Sequence, residues 1–453
     1  MKFRLHGLLH DLPPGPTGFP HLSVAMGKAL YRQPLETLMG YYREFGPVFT
    51  LRFFGQELVF MVSPEANRKI LVGGVEEFSW GEGLYAELVP FLGRGLLTSD
   101  DEAHDRAREL LAPAFYPAQI AGYADKMVRR ARAEVEALED GQKLDLHEWV
   151  RAVALEVAGE VLVGLEMNQG RARRLAHHFE QGLKCYDGYF WQTLFYRGPM
   201  TRHARLKTHA TKLDEIIGEE IKRRRRGKAT GSSIFDRLCQ AEAGGERFSH
   251  EEIRDHLVTL LFAGHDTTAA TVSWLVSQVG QRGEVYARLQ DEIDEVVGRG
   301  DPTAGDLMGG MGYLDRVLKE TLRLYPPAWI GPRLSRRGFW IDDHRIPAGT
   351  HVAYCSWMTH RLPELWEHPE AFWPGRFEEE RARAMEPGAY VPFGRGPRTC
   401  IGMRFGELEV KVLVVLLMQR FRVELLAGQS FRPQMIPTIS SREGVKVRLR
   451  ERE

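Results

Sequence analysis

The placement of helical periodicity constrains the fold of this chain most. Apolar residues recur at helical spacing over Ala118–Leu138, Glu148–Val163, Leu206–Arg226, His250–Gln281 and Glu407–Arg420. Runs rich in β-branched and aromatic residues are confined to two places. Pro47–Phe54 and Glu57–Val62 flank Gly55-Gln56 and predict a hairpin. Phe339–Ile341 and His351–Tyr354, around Pro347-Ala348-Gly349, predict a second strand pair. Strands and helices do not alternate regularly, which argues against a doubly wound sheet or a TIM barrel. The expected class is mainly α with small β-sheets.

The charge balance removes several functions. Lysine plus arginine number 61 and aspartate plus glutamate 61 in 453 residues, so the net charge is zero. With 43% hydrophobic residues, the chain is neither disordered nor a polybasic nucleic-acid binder. No nucleic-acid partner is expected. No stretch reaches the ~18 apolar residues of a membrane span, and the first residues are broken by Arg4, His6, His10 and Asp11. A cytoplasmic chain with no membrane anchor is expected. Residues 1–20 form a proline-rich lead-in, and Pro13-Pro14-Gly15-Pro16 is expected to be a stiff surface segment. Arg223–Arg226 is expected to be a solvated helix end, where cations are favourable.

Three local segments carry chemistry. Ser249-His250-Glu251-Glu252 is a capping-box pattern opening a helix of about 30 residues. Its centre, Ala263-Gly264-His265-Asp266-Thr267-Thr268, joins a glycine, a charge and two β-branched residues that all disfavour helix. It reads either as a surface kink or as a gap where an acid beside an alcohol relays protons. Glu320 and Arg323 share a helix face, an arrangement that is common and weak unless buried with a third partner. Arg376, in Phe372–Phe377, could be that partner.

The third segment is Phe393–Gly402. The four cysteines (Cys185, Cys239, Cys355 and Cys400) form no CxxC, which argues against a disulfide scaffold and a cysteine-rich zinc site. Only Cys400 is enclosed by three glycines and a proline, with a helix following from about Arg404. Backbone N–H groups, the helix N-terminus and Arg398 favour a thiolate there. Such a thiolate is a nucleophile or a metal ligand.

Together these segments resemble the cytochrome P450 family. Phe393, Gly396, Arg398, Cys400 and Gly402 match its FxxGxRxCxG loop, and Glu320/Arg323 its ExxR pair. Ala263–Thr268 looks like its AGx[DE]TT segment. Phe372–Phe377 looks like its FxPxRF loop, with Gly375 where glutamate is frequent. The resemblance implies a single haem domain over 1–453, with haem b as cofactor and O2 as co-substrate. Cys400 would be the axial ligand of iron, with Phe393, Gly402 and Ala263 beside the haem. Arg398, Arg333, His104 and Arg108 would hold its propionates. Glu320, Arg323 and Arg376 would form a structural triad. Asp266 and Thr267 would handle the protons that oxygen activation consumes. Phe190, Trp191, Ala263, Ala328, Trp329, Ile330, Thr438 and Ile439 would line the substrate pocket.

The implied reaction is hydroxylation or epoxidation of a lipophilic small molecule by a monomer. A fatty acid is the first expectation, a terpenoid or steroid the next. Electrons would come from a separate ferredoxin or flavodoxin with its reductase, docking near Arg106, Arg395 and Arg404. A peroxide-driven peroxygenase, a haem-thiolate sensor without turnover and a haem-free cysteine hydrolase are the alternatives.

Overall fold

A computed structural model describes residues 12–16, 21–53, 56–164, 170–186, 201–228, 233–240, 242–243, 246–435 and 438–452. Phe190 and Trp191 lie outside these residues. The chain divides into two compact units. The first comprises Met1–Ala86, Lys319–Cys400 and Pro433–Met435. The second comprises Glu87–Leu318, Ile401–Arg432 and Ile436–Glu453.

The first unit is built on a five-stranded sheet. Val48–Phe53 and Gln56–Met61 form the expected antiparallel hairpin. Gln56–Met61 then pairs in parallel with His351–Cys355, setting Val352 opposite Val59. His351–Cys355 also pairs antiparallel with Ile330–Ser335, whose far edge takes Phe78–Ser79. The expected pairing of Phe339–Ile341 with His351–Tyr354 does not occur. Phe339–Ile341 instead turns back on His344–Ile346 through Asp342-Asp343. Asp342 has φ +46, a left-handed conformation that aspartate tolerates in tight turns. Val352, Ala353, Tyr354 and Cys355 are all buried, so this strand needs neighbours on both edges and cover on both faces. Val59, Met61, Ile70, Phe78, Val352, Tyr354 and Val391 form the core of this unit.

The proline lead-in is not merely a surface segment. Thr50 donates its N–H to Pro14 O at 2.8 Å and its hydroxyl to Pro13 O at 2.7 Å. Pro13 and Gly15 are buried there. Proline has no N–H to offer the sheet edge, so its carbonyls make the attachment.

The second unit is mainly helical. Its long helix, His250–Gly280, packs against Leu146–Val157 and Met403–Arg420. Pro117–Glu136 packs on Met403–Arg420 in turn. The expected helix over Glu148–Val163 starts earlier, because Asp145 caps it by accepting His147 N–H at 3.0 Å. It widens into a π-type turn at Ala158–Val163. Phe421–Leu425, Lys446–Glu451 and Lys143–Asp145 make an antiparallel sheet.

The arginine run is a solvated end only in part: Arg223, Arg225 and Arg226 are exposed, whereas Arg224 turns inward. Arg224 is 4% exposed and bonds Glu220, Ser233, Asp236 and the Gly164 carbonyl. Arg223 pairs with Glu220, and Arg225 donates to Phe248 O. Two buried carboxylates, Glu220 and Asp236, draw Arg224 inward, because a buried carboxylate requires a partner.

Candidate active site

The cysteine loop as far as Cys400 belongs to the first unit. Gly394 (φ +67) and Gly396 (φ +72) hold backbone conformations that other residues rarely adopt. A Cβ on Gly396 would also stand 2.2 Å from the Leu71 carbonyl oxygen. The loop is closed by Gly394 N–H to Val391 O at 3.1 Å and Cys400 N–H to Phe393 O at 2.9 Å. Gly402, with φ −86, is the N-cap of Met403–Arg420, so Cys400 precedes a helix N-terminus by two residues. Cys400 is exposed, whereas Cys185, Cys239 and Cys355 are buried. Burial pushes the Cys239 and Cys355 thiols up to about 11 and 12, so neither supplies thiolate at neutral pH.

Glu320, Arg323 and Arg376 come together in the same unit, at 0%, 0% and 5% exposure. Arg323 binds Glu320 with Nε at 2.7 Å and Nη2 at 2.9 Å. Its remaining donors go to the carbonyls of His360, Pro369 and Ala371. Arg376 Nε and Trp373 N–H both donate to Glu320 Oε1, at 3.2 and 2.8 Å. Such satisfaction is what makes a buried ion pair tolerable. Gly375 leaves room for the Trp373 ring: a Cβ there would lie 2.6 Å from the indole nitrogen. That ring in turn carries Arg376 and Arg381.

Trp80 gathers two more cations. The guanidinium carbons of Arg333 and Arg398 lie 3.6 and 4.1 Å from its ring centroid. Cation–π contact places two positive charges on one indole, a surface suited to a dianionic group. Ala328 is exposed. Trp329 is 9% exposed and spends its N–H on Met435 O at 2.8 Å, so it is part of the framework as well as a pocket candidate.

The second unit carries the long helix, which runs unbroken through Ala263–Thr268. Both halves of the Ser249/Glu252 capping box are present. Most of the helix is buried, but Ala263 is exposed, and Gly264 and Thr267 are partly so. Beyond the backbone of its own helix turn, no atom of the described residues lies within 4 Å of where a Gly264 Cβ would project. Thr267 donates its hydroxyl to Ala263 O at 2.7 Å, which leaves its oxygen lone pairs available to accept. Thr267 is thus accommodated by a hydroxyl bond to the preceding turn, while Thr268 turns its hydroxyl to another helix.

Asp266 has a polar setting. Arg151 Nε stands 3.4 Å from its Oδ1, and Thr438 Oγ1 donates to Oδ2 at 3.4 Å. Arg151 Nε also donates to His265 Nε2 at 3.0 Å, which assigns the His265 proton to Nδ1. Burial holds His265 down at about 4, so it is neutral. Its Nδ1 has no partner among the described residues. Thr268 donates to Glu409 Oε2 at 2.6 Å, and burial pushes Glu409 up to about 8. Ile439 is fully buried, and its carbonyl accepts the Trp274 N–H. His104 (2% exposed) and Arg108 stand one turn apart on Asp101–Leu111. Arg151, His265, Glu409 and Trp80 were not singled out from the sequence as site residues. Only His265, inside the helix motif, carried a signal that could have found it.

Comparison with known proteins places this geometry. Residues 13–447 match the family described as cytochrome P450. Cyclooctatin synthase of Streptomyces melanosporofaciens is 30% identical, with 94% of this chain and 92% of that protein covered. The cyclooctat-9-en-7-ol 5-monooxygenase of the same organism is also 30% identical, covering 88% and 87%. A retinoic acid-bound cyanobacterial CYP120A1 structure superposes with TM-score 0.85 at 28% identity, covering 98% of this chain and all of that one. The exposed cysteine on its glycine turn, the buried Glu–Arg pair and the acid–alcohol helix thus occur in a chain matched over nearly its whole length, and the chain belongs to the cytochrome P450 family.

Proposed function

We propose that this P450 monooxygenase carries haem b on Cys400 and oxidises an isoprenoid lipophile, the whole chain acting as one haem domain. The observation that carries the cofactor assignment is the exposure of Cys400 alone among four cysteines, on a turn built by two positive-φ glycines. The other residues fit the group. Arg333 and Arg398 on Trp80 match the charge of two propionates. The exposed Ala263, with open space at Gly264, leaves a flat, small surface on the long helix.

When bound, haem supplies reductive O2 activation and C–H oxidation, and the protein supplies the rest. The Thr267 hydroxyl, anchored on Ala263 O, is positioned to accept a hydrogen bond. Asp266, held between Arg151 and Thr438, is the acid that can hand protons on toward that hydroxyl. This pair favours the O2-dependent reaction over a peroxygenase or a sensor.

The substrate class rests on the relatives. One acts on cyclooctat-9-en-7-ol and a structural neighbour binds retinoic acid, so an isoprenoid ranks ahead of the fatty acid expected first. Electrons come from a separate ferredoxin or flavodoxin. Arg395 and Arg404 are exposed and available to an acidic donor. Arg106 is already committed to Glu252 at 2.6 Å and to the Phe248 ring. Four cysteines that form no disulfide suit a reducing cytoplasm.

The test is spectral. The reduced CO complex should show the red-shifted thiolate band, and Cys400→Ser should lose it. A cyclic diterpene alcohol or a retinoid should shift the spin state at lower concentration than palmitate. Retention of the band by Cys400→Ser would remove the ligand assignment, and tighter binding of palmitate the substrate class.

A further inference from the structure

We propose that His360 is a positioning residue that fixes the cysteine loop to the Glu320–Arg323 pair through a neutral imidazole of defined tautomer. The effect on the iron ligand rests on the haem assignment to Cys400, whereas the effect on the loop does not. His360 is fully buried. Val391 donates its N–H to His360 Nε2 at 2.9 Å. The ring proton therefore sits on Nδ1, which lies 3.2 Å from the Arg323 carbonyl oxygen. Arg323 returns the contact, donating Nη1 to the His360 carbonyl at 2.8 Å. Beyond Val391 the path is short: its carbonyl accepts Gly394 N–H, and the Phe393 carbonyl accepts Cys400 N–H. One imidazole thus spans from the structural pair to the segment that closes on the sulfur.

The surroundings enforce the neutral form. Burial holds His360 down at about 3, and Arg323 and Arg361, the cations facing the ring, add to its effect. Tyr390 packs against the ring at 5.3 Å between centroids and restricts its rotation. A protonated ring would present two donors, one of them to the Val391 N–H. The group must accept on one side and donate on the other, which few side chains can do.

Glutamine can reproduce both contacts, since its amide oxygen and nitrogen have nearly the spacing of the ring nitrogens. Leucine keeps the volume and removes both. Asparagine, one methylene shorter, reaches the Arg323 side only and serves if the leucine variant does not fold. Leu289→Ala, a core truncation in the second unit, controls for general destabilisation. The primary readout is hydrogen-exchange mass spectrometry on the peptide spanning Val391, in the holoprotein. Exchange should be about tenfold faster or more in His360→Leu or His360→Asn, and near the parent rate in His360→Gln and Leu289→Ala. The reduced CO complex of the leucine or asparagine variant should move from the thiolate to the thiol form over minutes, with glutamine again restoring it. Parent-like exchange in His360→Leu or His360→Asn overturns the proposal, as does equal acceleration in Leu289→Ala. If the parent protein itself lacks the thiolate band, the haem assignment fails, and the exchange result still decides the role of His360 in the loop.

Discussion

Glu409 makes the stability of the second unit depend on alkaline pH. Its carboxyl is fully buried and raised by burial from an ordinary 4.5 to about 8, with the Thr268 hydroxyl as its hydrogen-bond donor. Between these values the folded chain binds a proton that the unfolded chain has released. Stability from this group is therefore present at low pH and is lost as pH rises through the folded value. From pH 7 to pH 9 the loss amounts to about 1.4 kcal/mol. Glu409→Gln removes the titration while keeping an oxygen for Thr268. It leaves one buried amide donor to satisfy, at about 1–3 kcal/mol, so the variant should start less stable and vary less. Urea midpoints followed by tryptophan fluorescence at pH 7, 8 and 9 give the measurement. The parent-minus-variant difference should shrink by about 1.4 kcal/mol across that range. Subtraction cancels the Cys239 and Cys355 thiols, which also titrate high. A difference that stays constant with pH would show that Glu409 is already ionised in the folded chain, and the reasoning would fail.

Acid should destabilise the chain through histidines. His256 and His265 are held at about 4 and His360 at about 3, chiefly by burial. Their contribution is complete above about 6.5 and disappears as pH falls toward those values, by about 3 kcal/mol per group at pH 4; an acid titration of circular dichroism should show a steep cooperative loss in that window. Trp80→Leu removes two cation–π contacts worth about 0.5–2 kcal/mol each, so haem transfer to apomyoglobin should accelerate roughly tenfold or more, and an unchanged rate would count against Arg333 and Arg398 as propionate partners. Glu320→Gln leaves two buried guanidiniums short of a counter-charge and should cost about 3–5 kcal/mol; soluble holoprotein at parental yield would contradict that.

The parts of the site legible in the sequence are those where several unusual residues fall close together. Cys400 stood out because glycines flank it, and two of them hold positive φ. Arg376 could be matched with Glu320 because its loop is apolar and turned by proline. The long helix announced its centre through residues that disfavour helix. What stayed hidden depends on tertiary partners. His360 is one of 16 histidines, and nothing near it marks the Val391 amide as its donor. Trp80 acquires its meaning only when Arg333 and Arg398 arrive from residues hundreds of positions away. Glu409 lies on an apolar helix, where burial alone decides its protonation. Ile330–Ser335 was missed as a strand because Gly331-Pro332 interrupts it, yet Pro332 is tolerated opposite Ala353. Arg224 reads as solvated, like its exposed neighbours in the run, until Glu220 and Asp236 are seen to be buried beside it.

The parallel pairing of Val59 with Val352 also sets a timetable for biosynthesis. The N-terminal hairpin is complete early, but its inner edge finds its partner only after about 290 further residues are made. At about 5–20 residues per second, Gln56–Met61 waits for roughly 15–60 s with an open row of backbone donors and acceptors. The sheet beneath the cysteine loop therefore closes only after His351–Cys355 has been made. A nascent chain stalled before residue 351 should leave this hairpin protease-sensitive and exposed to chaperones, whereas helices of the second unit are already able to pair.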